Sequence, residues 1–172
     1  NTDHKGAKNL QEISKKTDAI IALNGSFFTE DFTPTGLLIS EHQLLHPLSQ
    51  AELLNGIFAI DNNNTPRLLT QNDPIDPTEY AFAIQCGPVL INQKGEITFS
   101  KDTGKIASRT AIGIDKDNKI VIIILKQSLL NTDNTISLYQ FAHLIKEHSQ
   151  LKHLQLHSVL NLDGGPSTGI VI

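Results

Sequence analysis

Residues 106–125 read IASRTAIGIDKDNKIVIIIL, in which two apolar segments flank the polar sequence Asp115–Asn118. Apolar runs of strand length on either side of a short polar turn are typical of a β-hairpin. The second run contains six consecutive aliphatic residues, Ile120–Leu125. Such a run is typical of a strand that is buried on both faces. We therefore expect a hairpin here, with its second strand in the centre of a sheet.

Shorter apolar runs of the same kind occur along most of the chain. They predict strands over residues 18–23, 36–40, 56–60, 67–70, 81–85, 89–92 and 154–162, and a second hairpin that joins 89–91 to 97–99. Helices are expected over residues 8–16 and from Leu138 to Ile145, where apolar side chains recur at helical spacing and Ser137 can cap the start. Since strands dominate without regular βαβ alternation, the sequence predicts a single α+β domain on a mixed, mostly antiparallel sheet.

Length and charge limit the class of protein. The 172 residues are enough for about one domain, and the net charge of −4 argues against nucleic acid or an anionic membrane as the main partner. The longest apolar run is too short to span a bilayer. The single cysteine, Cys86, excludes an internal disulfide and a multi-cysteine zinc site.

Three apolar segments end in, or are interrupted by, small and polar residues: 22–28 (ALNGSFF), 107–113 (ASRTAIG) and 160–167 (LNLDGGPS). Glycine at a strand end lets a ligand approach the backbone closely, and consecutive N–H groups in such a turn can bind an anion. Each segment also has a structural alternative. The first and third contain favoured turn dipeptides, and Arg109 in the second could pair with a structural acid instead of a ligand phosphate or carboxylate.

Other residues with potential chemistry favour structural roles. The pairs His42/His46 and His153/His157 have the spacing of helical zinc ligands, but they fall in predicted loops or strands and lack an evident third ligand. Cys86 follows a strand without an adjacent base, which favours a small buried side chain over a catalytic thiol. The chain contains no nucleophile elbow, P-loop or dinucleotide-binding motif.

Five motifs together resemble the uncovering-enzyme-like phosphodiester glycosidase family, whose bacterial members are associated with exopolysaccharide synthesis. The motifs are residues 22–28, 36–39 (GLLI), 85–90 (QCGPVL), 108–113 (SRTAIG) and 161–167 (NLDGGPS), in that order. The resemblance extends over about residues 18–169. It departs from the family pattern at Ser26 and Pro166, where glycine is frequent.

The resemblance implies an α+β fold whose motifs meet at one cleft. It also implies hydrolysis of glycosyl phosphodiesters, such as N-acetylglucosamine-1-phosphodiesters, on glycans or cell-envelope polysaccharide. It assigns Asp163 as nucleophile or base, Arg109 as the phosphate ligand and Asn24 as a polar partner of sugar or carboxylate. Glu30 or Asp31 could supply a second carboxylate. The substrate-binding residues it implies are Gly25, Thr110, Asn161, Gly164, Gly165 and Ser167.

The resemblance leaves the metal requirement open: no cofactor is certain, and a divalent cation such as Ca²⁺ could be held by Asp163 and the asparagines. A second class of function is a non-catalytic glycan- or phosphosugar-binding module of the cell envelope, although the presence of both Asp163 and Arg109 favours an enzyme. An intracellular phosphosugar enzyme is disfavoured because the family is mostly exported.

The two ends of the chain suggest trimming. It begins at Asn1 without methionine, and residues 170–172 start a new apolar run close to the last motif. We therefore expect a secreted or periplasmic protein whose leader lies outside this chain, and a domain that continues past Ile172.

Overall fold

Antiparallel strands make up most of the fold. The computed structural model describes residues 9–126 and 135–172. The elements are α1 Leu10–Thr17, β1 Ala22–Leu23, β2 Leu38–Ser40, β3 Gln43–His46, β4 Gly56–Asp61, β5 Pro66–Thr70, β6 Tyr80–Cys86, β7 Val89–Ile91, β8 Arg109–Asp115, β9 Ile120–Leu125, α2 Leu138–Glu147, α3 Ser149–Lys152, β10 Leu156–Asn161 and β11 Ile170–Val171.

The strands form three antiparallel sheets. The largest has the order β3-β2-β6-β4-β5, the second has the order β7-β10-β8-β9, and β1 pairs with β11. Helices pack beside these sheets without βαβ alternation. The prediction of a single-domain α+β fold with mostly antiparallel strands is confirmed.

The hydrophobic core lies in layers on both sides of the four-stranded sheet. On one face, Ile114 and Leu160 pack against Phe58 and Cys86 of the five-stranded sheet. On the other face, the four-stranded sheet packs against the apolar side of α2, which includes Phe141. Both faces of this sheet are therefore covered, as expected when a sheet is sandwiched between two layers.

Helix α2 has the start that its sequence predicts. The Ser137 Oγ accepts a hydrogen bond from the Gln140 backbone N–H at 3.1 Å, and the Gln140 Oε1 accepts one from the Ser137 N–H at 3.0 Å. This reciprocal pair is a capping box, which satisfies two backbone donors that a helix start otherwise leaves unpaired. The predicted helix and its cap are confirmed, and a bridge between Ala107 and Ile136 holds the start of α2 beside the start of β8.

The hairpin at 106–125 is present as β8 and β9, but its second strand is not central. Among the described residues, strand β9 pairs with β8 alone and forms an edge of the sheet, with Ile120 46% exposed. Ile123 packs on the α2 side and Ile122 pairs with Ile112, but no residue of β9 is fully buried, so the expected burial on both faces is only partial. The central strands are β8 and β10, so this prediction was wrong about position.

One further prediction was wrong in detail, and another is confirmed in a shorter form. The expected buried strand at 18–23 is reduced to β1, because Asp18 adopts a left-handed conformation after α1 and Ile20 is 85% exposed. The expected hairpin turns at Lys94-Gly95: an antiparallel bridge pairs Ile91 with Ile97, and the Asn92 and Thr98 N–H groups donate to the carbonyls of Glu96 at 2.9 Å and Leu90 at 3.1 Å.

A buried amide fixes the loop before β4. Gln85 on β6 is fully buried, and its Oε1 accepts hydrogen bonds from the backbone N–H groups of Leu37 at 2.8 Å and Ser49 at 2.9 Å. Its Nε2 donates to the carbonyl oxygens of Ser49 at 2.7 Å and Leu54 at 2.6 Å. The polar atoms of this side chain are thus satisfied by the backbone segments that it joins.

We predict that Gln85→Leu lowers the free energy of unfolding by about 3 kcal/mol, because it leaves several buried backbone groups without partners. Urea denaturation followed by circular dichroism measures the change. The matched control is Gln43→Leu on the exposed strand β3, which we expect to change stability by less than about 0.5 kcal/mol. Equal stability of the Gln85 variant and the wild type would contradict the assigned role.

Candidate active site

A cleft of about 510 Å³ opens where β8 begins and β10 ends. Its walls come from the turn at Gly87-Pro88, the loop 99–107, the start of α2 and the turn that follows β10. Strands β8 and β10 are antiparallel neighbours, which brings the start of one beside the end of the other. The motifs at 85–90, 108–113 and 161–167 therefore meet at one place.

Among the described residues, Asp163 is the one carboxylate that lines this cleft. Hydrogen bonds of its backbone and side chain fix its position. Its N–H donates to the Gly25 carbonyl at 3.0 Å, and its Oδ1 accepts from the Gly164 N–H at 2.8 Å. The Gly165 N–H donates to the Ser108 carbonyl at 2.9 Å. The N–H groups of the two glycines are thus engaged within the protein, so these two amides do not form the open anion-binding turn that the sequence suggested.

Glycine is required at position 164 because the turn lies against the start of β8. A Cβ at Gly164 would stand 2.8 Å from the carbonyl oxygen of Ser108, closer than side chains normally approach. Gly165 has a φ of +59°, a conformation that side chains disfavour. The Asp-Gly-Gly sequence is thus needed to place the carboxylate beside β8.

Asn24 lies behind the cleft and holds the peptide of Asp163. Its Nδ2 donates to the Asp163 carbonyl at 2.7 Å, while its Oδ1 accepts from the Thr110 Oγ1 at 2.8 Å and from the Gly169 N–H at 3.1 Å. Thr110 is fully buried. Both side chains therefore have partners inside the protein.

The sequence-predicted residues divide into two groups. The cleft is lined by Arg109, Asn161, Asp163, Gly164 and Gly165. Outside its lining lie Asn24, Gly25, Thr110 and Ser167, of which Ser167 ends a short 3-10 turn. Glu30 and Asp31 also lie outside it, and the Thr29 hydroxyl donates to the Asp31 carboxylate and holds its pKa below the usual range.

Asn161 has a buried side-chain oxygen that the described residues leave unpaired. The residue is only 4% exposed, and its Nδ2 donates to the Gly87 carbonyl at 2.8 Å. Its Oδ1 has no hydrogen-bond partner among the described residues. A buried polar atom without a partner is costly unless something else satisfies it. Asn161 also lines the cleft, so this unpaired oxygen lies in a residue at the cleft wall.

Arg109 carries a positive charge that no acid of the described residues neutralises. Its Nε donates to the Ile136 carbonyl at 3.0 Å, and its Nη2 donates to the Lys105 carbonyl at 2.6 Å. No carboxylate pairs with it in residues 9–126 and 135–172. Burial lowers its pKa, but a guanidinium stays charged at neutral pH. Its remaining N–H groups can therefore bind an anionic group in the cleft.

Cys86 lies in the core below the cleft. It is fully buried, and this burial raises the pKa of its thiol to about 11, with a smaller contribution from the charge of Asp163. A thiol with so high a pKa is a poor nucleophile at neutral pH. The position supports a packing role.

The side-chain oxygens of the cleft do not make up a calcium site. Asp163 and Asn161 supply side-chain oxygens there, but the Asn24 Oδ1 lies outside the lining and accepts from Thr110, and the Asp163 backbone carbonyl accepts from the Asn24 Nδ2. Calcium takes six to eight oxygen ligands. No cluster of three or more His, Cys, Asp or Glu side chains suited to a metal occurs within the described ranges. We therefore assign no catalytic step to a cation.

Several cleft residues escaped the sequence analysis. Lys101 and Lys105 come from a loop without a recognisable motif, and Tyr139 comes from the first turn of α2. Helical periodicity identified the buried face of α2 but gave no reason to select the residues at its start. The alternation by which Phe99, Lys101, Thr103, Lys105 and Ala107 line the cleft is a feature of the structure, because polar and apolar residues do not alternate in the loop sequence.

Comparison with known families identifies the class of protein as a glycosidase-type hydrolase. The match is to the phosphodiester glycosidase family, covers residues 17–172, and shows that the chain belongs to this family. The resemblance seen in the five motifs is thereby confirmed. No curated protein sequence matches the chain. In the described part of the chain, no helix has the length and apolar character needed to cross a membrane.

We predict that Asn24→Asp lowers the free energy of unfolding by about 3 kcal/mol. The substitution replaces the donor to the Asp163 carbonyl with an oxygen and buries a carboxylate among backbone groups. Urea denaturation measures the loss. Asn72→Asp in an exposed loop introduces the same chemical change and should leave stability within about 0.5 kcal/mol of the wild type. An equally small effect at Asn24 would show that its amide does not organise the site.

Proposed function

We propose that this protein hydrolyses glycosyl phosphodiesters: sugar-1-phosphate linkages, such as N-acetylglucosamine-1-phosphodiesters, on glycans or cell-envelope polysaccharide. The observation that carries the proposal is the half-buried guanidinium of Arg109, which has no acidic partner among the described residues and lines the same cleft as the carboxylate of Asp163. Membership of the phosphodiester glycosidase family supports the reaction type.

Arg109 is suited to hold the phosphate. A phosphodiester carries one negative charge at neutral pH, and a guanidinium forms charge-assisted hydrogen bonds to its oxygens. Two backbone carbonyls already fix the orientation of Arg109. The side chain therefore loses little freedom when it binds the substrate.

Asp163 is suited to stabilise the sugar during bond cleavage. The bond between the anomeric carbon and the phosphate oxygen breaks, and its electron pair leaves with the phosphate. Positive charge then develops at the anomeric carbon, where a carboxylate stabilises it, before water adds and loses a proton. The products are a free sugar and a phosphomonoester. Because phosphate leaves readily without protonation, a single carboxylate in the cleft is sufficient for this route.

Asn161 and the apolar wall of the cleft are suited to bind the sugar. The unpartnered Oδ1 of Asn161 can accept a hydrogen bond from a sugar hydroxyl. Phe27, Phe99 and Tyr139 also line the cleft and offer aromatic surface to a sugar ring. A substrate of the cell envelope would place this protein in the periplasm or outside the cell, which fractionation of cells that express the full gene product can test.

We predict that Asp163→Asn lowers kcat for an N-acetylglucosamine-1-phosphodiester by about 1,000-fold or more, because the neutral amide cannot stabilise the developing charge. The released sugar is measured, and the melting temperature should stay within a few degrees of the wild type. The control is Asp117→Asn in the exposed turn between β8 and β9, which should retain full activity. Equal turnover by the Asp163 variant would refute the assignment.

Saturable binding by a wild type that never releases sugar would support the non-catalytic binding module instead.

We predict that Arg109→Lys raises KM by about tenfold, because an ammonium cannot reproduce the planar pair of donors that a guanidinium offers to phosphate. Steady-state kinetics and thermal unfolding of the same preparations separate binding from folding. The chain offers a matched control in Arg67, whose Nε donates to Asp61 at 2.9 Å away from the cleft. Arg67→Lys should leave KM unchanged, and a variant of Arg109 that simply unfolds would show that its role is structural.

A further inference from the structure

The segment 99–109 presents every second side chain to the cleft. Phe99, Lys101, Thr103, Lys105, Ala107 and Arg109 all line it, and no residue at an even position between them does. The segment is not a strand, because the chain bends at Ser100 and Lys101 and Gly104 has a φ of +70°, but the alternation places these residues along one wall of the cleft. Both lysines of this segment therefore belong to the wall of the cleft, although their side chains are otherwise exposed.

Asp102, the acidic residue of the same segment, forms its hydrogen bonds with Gly104 and Ser137. Asp102 lies between the two cleft-lining lysines in sequence, but it is not part of the cleft lining. Its Oδ1 accepts from the Gly104 N–H at 2.9 Å, and a hydrogen bond with the Ser137 side chain also favours its charged form. Neither Lys101 nor Lys105 forms an ion pair with any described residue.

The cleft is consequently cationic in an acidic protein. Three cationic side chains line it against the single carboxylate of Asp163, a net charge of +2, whereas the whole chain has a net charge of −4. A phosphodiester, with one negative charge, neutralises only part of this excess. Electrostatic complementarity between a cleft and its ligand favours a substrate with at least one more anionic group.

The arrangement also indicates where that group binds. The Lys105 carbonyl accepts the 2.6 Å hydrogen bond from the Arg109 Nη2, so the backbone of Lys105 lies directly beside the guanidinium. The ammonium of Lys105 can therefore reach a group next to the phosphate that Arg109 holds. Lys101 lines the same cleft four residues earlier in the segment.

We infer that the substrate carries a second phosphoryl group close to the phosphodiester that is cleaved, and that Lys101 and Lys105 bind this group. The inference deepens the proposed function and rests on it. Two kinds of molecule have this chemistry: a diphosphate diester, in which the second phosphoryl group is directly attached, and a polymer in which a second phosphodiester follows after a short polyol. In both, the sugar leaves from the first phosphate as described above.

The test compares three probes with the full chain. The first is the methyl phosphodiester of N-acetylglucosamine-1-phosphate, with one phosphoryl group. The second is UDP-N-acetylglucosamine, and the third joins N-acetylglucosamine-1-phosphate through glycerol to a second phosphodiester. We expect kcat/KM to be about tenfold higher, or more, for at least one two-phosphate probe than for the methyl diester. The probe with the higher value identifies the kind of substrate.

The variants assign this preference to the lysines. In the double variant Lys101→Gln, Lys105→Gln, the ratio of kcat/KM between the preferred probe and the methyl diester should fall to about twofold or less. The control is the double variant Lys116→Gln, Lys119→Gln, which removes the same charge from the turn between β8 and β9 and should keep the wild-type ratio.

Each outcome decides the inference. Hydrolysis of all three probes at similar kcat/KM would overturn it while the proposed function stands. A preference that the control variant loses equally would also overturn it, because net charge and not the cleft wall would then be responsible. If the wild type hydrolyses none of the probes, the proposed function fails and the inference fails with it.

Discussion

The cleft depends on the three hydrogen bonds of one buried amide, that of Asn24. Its Nδ2 holds the carbonyl of Asp163, and its Oδ1 holds the hydroxyl of Thr110 and the N–H of Gly169. These contacts join β1 to β8 and to the segment between β10 and β11, which are separated by 86 to 145 residues along the chain. Only a side chain with both a donor and an acceptor can make them, so the position of the carboxylate follows from a residue that the cleft does not expose.

A second buried amide, that of Gln85, also joins distant backbone segments that form a wall of the cleft. Gln85 joins β6 to the segment that includes Ser49 and Leu54, and that segment carries Leu53 to the cleft next to Gly87. A side chain at Gly87 would collide with the carbonyl oxygen of Leu53. The motifs at 22–28 and 85–90 thus mainly fix the walls, while those at 108–113 and 161–167 bring Arg109, Asn161 and Asp163 to the cleft.

Much of this fold could be predicted from the sequence, because periodicity and caps are local signals. Helix α2, its capping box and the β8–β9 hairpin follow from such signals. The edge position of β9 does not, because an aliphatic run reports that both faces are covered and says nothing about how many strands pair beside it. Likewise, a polar residue in a strand-end motif can face a ligand or hold the backbone. The sequence does not distinguish Asn161, whose Oδ1 has no partner, from Asn24, whose amide is fully used.

The net charge of the whole chain does not describe the charge of the cleft. A value of −4 describes the average surface and argues against long polyanions such as nucleic acid as partners. The cleft has the opposite sign, because Lys101, Lys105 and Arg109 converge there while Asp102 is engaged elsewhere. A negative net charge disfavours extended polyanions, whereas a local cationic wall attracts a short anionic group that can enter the cleft. This charge distribution supports the proposal that the cleft binds small phosphorylated groups, and the chain belongs to a family of phosphodiester glycosidases.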